Sequence, residues 1–362
     1  MKSIDIIAGA RPNFIKVAPI IKSIERKKAI SSSLFDYRLI HTGQHYDKKM
    51  SADFFNQLGI PAPDINLNVG SGSQAQQTAA IMVSYEKILI NDSTDLCLVV
   101  GDVNSTAACS IAAKKLNIPV AHVEAGIRSG DITMPEEINR ILTDSITDYF
   151  FTTSKHANKN LRNMGINDSK IFFVGNTMID TLVDNMVKLR PPRIYKDLRE
   201  NEYFILTLHR PGNVDNKENL ELLLNSIGTY SRGLEIIFPV HPRTMKVIRS
   251  IKSIPKNILI ADPLPYLEFN YLVKKAKAVI TDSGGITEEA TYMGVPCLTL
   301  RDSTERPETI LEGTNELVGS NPKNIESILE KLFANQWKKG GIPELWDGKT
   351  SDRIIEVIED II

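Results

Sequence analysis

Short, mostly apolar runs alternate with longer amphipathic stretches along this chain of 362 residues. Strands that are apolar throughout are typical of parallel sheets covered on both faces, and helical patterns such as NFIKVAPIIKSIERKK supply that cover. The predicted strands are SIDIIAG, YRLIHTG, LCLVVGD, VAHVEAG and YFFTTS, followed by a later set of FFVGN, YFILTLH, EIIFPVH, ILIADP, KAVITDS and PCLTLRD. Two such sets predict an α/β protein with two doubly wound, Rossmann-like domains.

The break between the two sets lies near VGNTMIDTLVDNMVKLRPPRIY, where Pro191 and Pro192 are typical of a connector. We predict an N-terminal domain over residues 1–174 and a C-terminal domain over residues 175–350. The amphipathic segment 351–362 is predicted to be a helix that packs on the N-terminal domain.

The composition bears on which partners the protein binds and on the compartment in which it is found. A net charge of −1 argues against nucleic acid or an anionic membrane as the main partner. Cys97, Cys109 and Cys297 are odd in number and lie among apolar residues, which favours a reducing compartment and core packing. The first apolar run breaks into Gly-Ala-Arg-Pro, as a strand does, and no run approaches the ~18 residues of a membrane span. We therefore predict a cytoplasmic protein.

Polar side chains end several of the apolar runs in both halves. In open parallel sheets, ligands bind beyond the carboxyl ends of the strands. One charged strand end is explained by contact with water, but five across two sheets favour convergence on one interdomain cleft. The five residues are Asp102, Glu124, His209, His241 and Asp282.

A first candidate anion site follows the first strand, in GARPNFIK. A helix that starts after such a turn presents free N–H groups and a positive dipole end, and Arg11 and Lys16 add charge. The turn lacks GxGxxG, so it carries no support for NAD. Taken alone, it is equally consistent with a capped turn and solvated charges.

A second candidate anion site is TDSGGITEEA. Here Ser283, Gly284 and Gly285 separate a strand from a helix, so that backbone amides can approach an anion. Glu288 and Glu289 follow in the first helical turns, where they either favour the dipole or accept hydrogen bonds from ribose hydroxyls. Two such turns, one in each domain, predict binding of a nucleoside diphosphate.

Metal and nucleophile motifs are missing from the sequence. It contains no HExxH and no Cys-rich metal spacing, no PCxxC follows HVE, and there is no GxSxG elbow. We predict no metal site. His122 points to the opposite face of its strand from Val123, and we interpret it as a core or sheet-packing histidine.

Several motifs together, over residues 4 to about 310, resemble the non-hydrolysing UDP-N-acetylglucosamine 2-epimerases. They are GARPNFIK, TGQHYD, GDVNST, HVEAGIRS, MPEEINR, GNTMID, LTLHRPGN, PVHPR, DSGGITEEA and RDSTERPE. The resemblance implies the two-domain architecture of B-type glycosyltransferases and a cytoplasmic homodimer that needs neither a metal nor a nicotinamide cofactor.

The resemblance also implies a reaction, the interconversion of UDP-GlcNAc and UDP-ManNAc for cell-surface polysaccharide. UDP leaves C1 as C2 loses its proton, which forms 2-acetamidoglucal. UDP then adds back while C2 is protonated on the other face. Carboxylates in a dry cleft have raised pKa values, so one of them can carry a proton at neutral pH.

The resemblance implies roles for individual residues, with the division of acid and base roles left open. The implied catalytic residues are Asp102, Glu124, Glu136 and His209. The predicted substrate-binding residues are Arg11, Lys16, His241, Phe269, Ser283, Gly284, Gly285, Glu289 and Arg306, where Glu289 accepts from ribose and Phe269 lies against uracil. Glu137 and Arg140 are predicted to support the site.

Departures from the family pattern leave alternatives open. Asp47 in QHYDKK stands where activated members have a second Gln, so we expect no activation by a second UDP-GlcNAc. The GARPxFIK form also occurs in a branch that epimerises UDP-diacetamido-uronic acids. A B-type UDP-sugar glycosyltransferase and a hydrolysing epimerase are the further alternatives.

Overall fold

The computed structural model of the chain describes residues 2–30, 35–43, 55 and 57–362. Within them the chain divides into two compact units. The first comprises the described residues up to Asp184 together with Glu344–Ile362, and the second is Asn185–Pro343. The first unit thus continues past the predicted boundary at residue 174, and the second ends before residue 350.

The first unit is built on a sheet of seven described strands, all paired in parallel. They are β1 (Lys2–Ala8), β2 (Phe35–His41), β3 (Ile65–Asn66), β4 (Leu96–Val100), β5 (Val120–Val123), β6 (Tyr149–Thr152) and β7 (Ile171–Phe173). Their order is β3-β2-β1-β4-β5-β6-β7. The order changes direction between β1 and β4, and ligands bind at such a switch point in open α/β sheets.

Helices connect these strands. They are α1 (Arg11–Ile30), α2 (Gln74–Asn91), α3 (Asn104–Lys115), α4 (Pro135–Ile146), α5 (Lys155–Asn163) and α6 (Thr177–Asn185). Local sequence explains several of their starts. Ser73 forms a reciprocal capping box with Gln76 at α2, and Pro135 occupies the first turn of α4, where a backbone N–H is not needed. All five residues of β4 are buried, as expected for a central parallel strand.

The second unit repeats this design with six described strands in the order β10-β9-β8-β11-β12-β13. The strands are β8 (Tyr203–Thr207), β9 (Glu235–Pro239), β10 (Ile258–Ala261), β11 (Ala278–Thr281), β12 (Cys297–Thr299) and β13 (Asn315–Leu317). The helices are α7 (Pro211–Val214), α8 (Lys217–Tyr230), α9 (Pro242–Ile248), α10 (Tyr266–Lys275), α11 (Gly284–Tyr292), α12 (Pro307–Leu311) and α13 (Asn324–Phe333). The switch point of this sheet lies between β8 and β11.

The last helix, α14 (Thr350–Ile361), belongs to the first unit. Ser23 of α1 donates a hydrogen bond from Oγ to Asp352 Oδ1 at 2.6 Å. The backbone N–H of Ser351 donates to Asp180 of α6 at 2.6 Å. Because α6 is held by α14, the first unit extends beyond the boundary expected from strand patterns alone.

The prediction that FFVGN begins the second set of strands is wrong. This segment forms β7 at the edge of the first sheet, where Ile171 pairs with Phe150. A three-residue edge strand carries no local signal of which sheet it joins. Strands β3 and β13 were not predicted, because runs of two and three residues are too short to show a strand pattern.

The three cysteines, Cys97, Cys109 and Cys297, are buried, which confirms their prediction as core residues. No helix in the described part of the chain is long and apolar enough to cross a membrane.

Candidate active site

The turn between β1 and α1 is tied to the end of β4 by the buried side chain of Asn13. Its Oδ1 accepts hydrogen bonds from the N–H groups of Gly9 at 3.3 Å and Ala10 at 2.9 Å, and its Nδ2 donates to the Val100 carbonyl at 2.8 Å. The start of α1 is thereby fixed at the switch point. The side chain of Arg11 and the QHYDKK segment lie outside the described part of the structure.

Lys16 and Glu124 form an ion pair in which Nζ and Oε2 are 2.5 Å apart, with side chains 11% and 3% exposed. Glu124 directly follows β5, and its φ of +74° is a strained conformation for a residue with a side chain. The N–H groups of Glu124 and Ala125 both donate to the Phe151 carbonyl, which stabilises this turn. Lys16, predicted to contact phosphate, thus pairs with a predicted catalytic carboxylate.

Gly101 permits the close approach of these groups. Its φ is +69°, and an added Cβ would lie 3.1 Å from Lys16 Nζ and 3.6 Å from Glu124 Oε2. A side chain here would therefore crowd the ion pair and strain the turn. Asp102 follows at once, so Asp102 and Glu124 come after the ends of the neighbouring strands β4 and β5.

Arg140 on α4 orients Asp102. Its Nε and Nη2 donate to Asp102 Oδ2 at 3.0 and 2.5 Å, while its Nη1 donates to Glu137 Oε2 at 2.6 Å. Arg140 and Glu137 are buried, whereas the Asp102 side chain is 27% exposed. Asp102 is therefore held from behind by a buried cation and remains reachable from solvent.

Glu136 and Glu137 are neighbours on α4 with different surroundings. Burial alone would raise the pKa of Glu137, but hydrogen bonds from Ser129 N–H, Arg140 and Gly130 N–H outweigh it and hold the pKa below its ordinary value. Glu137 is therefore an ionised partner of Arg140. Glu136, predicted to be catalytic, is exposed on the first helical turn.

His122 lies in β5 and is fully buried, as predicted, but it has a polar role that the sequence analysis missed. Its Nδ1 is 2.7 Å from Asp144 Oδ1, and its Nε2 is 2.8 Å from the Gly101 carbonyl oxygen. The strand alternation placed His122 inside the sheet, and its partners come from other segments. No local pattern indicated them.

The second unit holds a histidine–carboxylate pair after β8. His209 Nδ1 lies 2.7 Å from Asp282 Oδ1, and the His209 side chain is 57% exposed while Asp282 is buried. Asp282 also accepts from the N–H groups of His209 and Arg210 and from Asn213 Nδ2, at 3.0–3.1 Å. Because Nδ1 is engaged, Nε2 is the ring nitrogen that a ligand can use.

The charge of Asp282 follows from these contacts. Burial would raise its pKa, but the hydrogen bond and charge of His209, with further hydrogen bonds from Asn213 and Arg210 N–H, hold the pKa below its ordinary value. Asp282 is therefore an anion that orients His209. The sequence analysis placed Asp282 at a strand end without assigning it this role.

The second candidate anion turn has the predicted strand–turn–helix form. Ser283 precedes α11, and its N–H donates to Thr281 Oγ1 at 3.0 Å. An added Cβ at Gly284 would lie 2.5 Å from Glu305 Oε1, and Glu305 Oε2 accepts from Arg301 Nη2 at 2.6 Å. A glycine is needed at this position because the buried Arg301–Glu305 ion pair packs against the turn.

Glu288 and Glu289 on α11 are both buried but have different partners. Glu288 Oε1 is 2.7 Å from Nε of the buried Arg306, so Arg306, predicted to bind substrate, makes an internal ion pair. Burial raises the pKa of Glu289 to about 7, against smaller lowering effects of hydrogen bonds from Tyr266 and Asn270. Glu289 therefore holds its proton to a higher pH than an exposed glutamate does.

Two further residues that were predicted to bind the substrate lie elsewhere in the second unit. His241 follows β9 and is exposed. Phe269 on α10 is half-buried and packs against a hydrophobic cluster that includes Leu272 and Val279. Phe269 therefore already has a packing role, and its predicted contact with uracil stays a prediction.

A family model described as UDP-N-acetylglucosamine 2-epimerase matches residues 27–359. The chain belongs to the UDP-N-acetylglucosamine 2-epimerase family. The predicted family, its isomerase class and the fold of two parallel sheets with alternating helices are confirmed.

Relatives of this epimerase family member match over its whole length. A UDP-N-acetylglucosamine 2-epimerase homolog of Methanococcus maripaludis is 45% identical, with all of both chains covered. A UDP-2,3-diacetamido-2,3-dideoxy-D-glucuronate 2-epimerase of Pseudomonas aeruginosa is 39% identical, with 99% of each chain covered. The crystal structure of the Methanocaldococcus jannaschii UDP-GlcNAc 2-epimerase, in complex with UDP-GlcNAc and UDP, has a TM-score of 0.87 at 41% identity and covers 98% of this chain and 99% of its own.

In this family member, the predicted residues form two groups, one in each unit. Lys16, Asp102 and Glu124 gather at the ends of β4 and β5, and the anion turn and Glu289 lie on α11. The prediction that the two sets of strand ends face one cleft concerns both units and stays a prediction. Sequence analysis missed two residues, Asp144 and Arg128, whose Nη2 lies 2.7 Å from Asp144 Oδ2. It also missed the polar roles of His122 and Asp282.

Proposed function

We propose that this chain inverts C2 of UDP-N-acetylglucosamine to give UDP-N-acetylmannosamine, by elimination of UDP and its re-addition to 2-acetamidoglucal. The observation that carries the proposal is the pair of carboxylates at neighbouring strand ends. Asp102 is paired with Arg140, and Glu124 with Lys16. Proton removal and return at one carbon require such acid–base groups. The solved relative from M. jannaschii, in complex with UDP-GlcNAc and UDP, supports the substrate class.

The proposed steps balance without an external reactant. A carboxylate accepts the C2 proton, the C2–H electrons form the C1=C2 double bond, and the C1–O bond breaks so that UDP leaves with its electron pair. In the second half, a diphosphate oxygen attacks C1 and an acid returns a proton to the opposite face of C2. Asp102, Glu124 and Glu136 are the proposed acid–base groups, and His209 assists departure of the diphosphate through Nε2.

Most of the proposed contacts with the nucleotide belong to the second unit. There, the turn Ser283–Gly285 at the start of α11 is proposed to bind the diphosphate. Arg11 and Lys16 of the first unit are proposed phosphate contacts. Buried Glu289 accepts hydrogen bonds from ribose hydroxyls, and Phe269 lies against uracil. The remaining proposed substrate contacts are His241 and Arg306.

We propose further that the protein is a cytoplasmic homodimer that supplies sugar nucleotides for cell-surface polysaccharide. Apolar side chains exposed on α4 support a second copy as partner, because such residues are depleted from surfaces that stay in water. They are Ile138, Ile141 and Leu142, which are 50%, 39% and 38% exposed. A dimeric mass in light scattering, reduced to the monomer by Ile138→Asp, is the expected result. A monomeric wild type contradicts it.

Incubation of the protein with UDP-GlcNAc in D2O, without an acceptor, tests the activity. The proposal predicts UDP-ManNAc with deuterium at C2 and deuterium in the recovered UDP-GlcNAc. Asp102→Asn and Glu124→Gln should each greatly reduce this exchange while UDP still binds. A glycosyltransferase leaves the sugar unlabelled, and a hydrolysing epimerase releases free ManNAc. Unchanged exchange in both variants would show that the catalytic residues are wrongly assigned.

The P. aeruginosa relative favours a second candidate substrate, a UDP-diacetamido-uronic acid, which is epimerised at the same carbon. The two substrates differ by a carboxylate at C5 and an acetamido group at C3 of the sugar. A comparison of kcat/KM for the two nucleotides decides between them. We expect UDP-GlcNAc to be preferred.

A further inference from the structure

His122 connects the three segments that carry the proposed catalytic carboxylates. Its Nε2 is 2.8 Å from the carbonyl oxygen of Gly101, the residue before Asp102. Its Nδ1 is 2.7 Å from Oδ1 of Asp144, which lies on the same helix as Glu136 and Arg140.

The other oxygen of Asp144 completes the connection. Asp144 Oδ2 accepts a hydrogen bond from the N–H of Gly126 at 3.0 Å, two residues after Glu124. The turn after β4, the turn after β5 and helix α4 are therefore joined through one buried histidine–carboxylate pair.

The partners of His122 determine its protonation. A backbone carbonyl only accepts hydrogen bonds, so Nε2 must carry a proton toward Gly101. Asp144 is kept ionised by Nη2 of Arg128, which is 2.7 Å from Oδ2, so Nδ1 must donate as well. Asp144 is in direct contact with His122, Arg128 pairs with Asp144 beyond it, and the Lys16–Glu124 ion pair lies beside Gly101.

The contacts of Asp144 favour its ionised form. Burial would raise the pKa of Asp144, but the hydrogen bond and charge of His122, followed by those of Arg128, hold the pKa below its ordinary value.

We propose that His122 is a buried imidazolium and a positioning residue for the epimerisation. The inference rests on the proposed function, because it assigns His122 the role of fixing the positions of Asp102 and Glu124 relative to each other. Glu124 has a φ of +74°, which is strained for a residue with a side chain, whereas the positive φ of Gly101 and Gly126 is available to glycine, so the contacts of these turns must hold Glu124 in place. A displacement of about 1 Å in a catalytic group lowers rates by ~100-fold, which sets the expected effect.

The charge of the ring is tested without any measurement of activity. We would record 15N spectra of the wild-type protein with labelled histidine between pH 6 and 9, and assign the His122 signals by comparison with His122→Gln. The proposal predicts two protonated ring nitrogens at pH 7.5. A signal from an unprotonated nitrogen of His122 at that pH overturns it.

The positioning role is tested by kinetics of C2 exchange in D2O. His122→Gln should lower kcat about 100-fold, while the Kd for UDP changes less than about twofold because the proposed nucleotide contacts lie mainly in the second unit. The matched control is His156→Gln, at an exposed histidine on α5, which should keep the wild-type kcat.

The outcomes separate this inference from the function on which it rests. An unchanged kcat in folded His122→Gln overturns the positioning role. If that variant does not fold, the His122 ring signals are assigned through their correlations with the labelled backbone of the wild-type protein, and they still decide the charge of the ring. A wild-type protein without C2 exchange overturns the proposed function instead, whatever the ring spectra show.

Discussion

Lys16 and Glu124 are separated by 108 residues in the sequence, yet Nζ and Oε2 meet at 2.5 Å in an almost buried ion pair. The contact joins the first helix after β1 to the residue after β5, across the end of β4. A carboxylate in this position has lost most of its contact with water, so its charge depends on the lysine.

Lys16→Met should leave Glu124 buried without this cation. We expect a loss of about 3 kcal/mol in the free energy of unfolding at pH 8 and a fall in C2 exchange of ~100-fold. The loss of stability should shrink as the pH is lowered to 5, because an isolated buried carboxyl binds a proton in the folded state. Urea denaturation at several pH values measures it.

The matched control for this change is Lys22→Met. Lys22 pairs with Asp184 at 3.2 Å with side chains 28% and 43% exposed, and such pairs contribute less than about 1 kcal/mol. Equal losses in the two variants would contradict the assigned importance of the Lys16 pair.

Asp282→Asn removes the anion that orients His209. Because the pKa of Asp282 is lowered in the folded state, its charge stabilises the fold above about pH 4, and this contribution is lost as the pH falls through the folded pKa. We therefore expect the variant to be about 2 kcal/mol less stable than the wild type at pH 7, with the difference closing in acid.

The same variant should show slower C2 exchange, by roughly tenfold to 100-fold, since a mispositioned His209 assists the leaving group less. Asp302→Asn is the control, because Asp302 is exposed and accepts hydrogen bonds from Ser320. A gap in stability that does not narrow as the pH falls below about 4 would argue against the charge as its origin.

Glu289→Gln should increase the stability of the protein at high pH. The wild-type carboxyl has a pKa of about 7 when folded, so the folded state binds a proton more strongly than the unfolded state between about pH 4.5 and 7. This contribution is present at low pH and lost as the pH rises through 7. The variant should therefore be more stable than the wild type at pH 8.5, by on the order of 3 kcal/mol, with little difference at pH 4.

The same substitution should weaken UDP binding about tenfold at pH 8, because an amide replaces the proposed acceptor of two ribose hydroxyls. Thermal unfolding and calorimetric titration measure the two effects. A stability difference that does not change with pH would contradict the raised pKa.

Gly284→Ala should weaken UDP binding while the fold persists. The new Cβ would lie 2.5 Å from Glu305 Oε1, which must move from the start of α11 and disturb its bond to Arg301. We expect a tenfold or larger increase in Kd and a stability loss of about 1–2 kcal/mol. Gly70→Ala is the control, because no atom lies within 4 Å of its added Cβ. Unchanged UDP affinity would place the diphosphate elsewhere.

Many of the candidate site residues could be predicted from the sequence because they follow the ends of predicted strands. Asp102 and Glu124 follow apolar runs that are long enough for strands, and the Ser283–Gly285 turn separates a strand from a helix. The strand and helix patterns distinguished neither Glu136 from Glu137 nor Glu288 from Glu289, and only the family resemblance assigned them different roles. In the structure, Glu137 pairs with Arg140 and Glu288 pairs with Arg306. These contacts distinguish the two members of each pair.

By itself, the sequence determined that this chain forms two parallel sheets with polar residues beyond their strands. Uninterrupted apolar runs must be covered on both faces, and a run stops where its first polar side chain can reach water or a ligand. The tertiary structure decided which of these residues meet. Lys16 pairs with Glu124, and His122 joins Gly101 to Asp144, because strand order and turns with positive φ bring together segments that no local pattern relates.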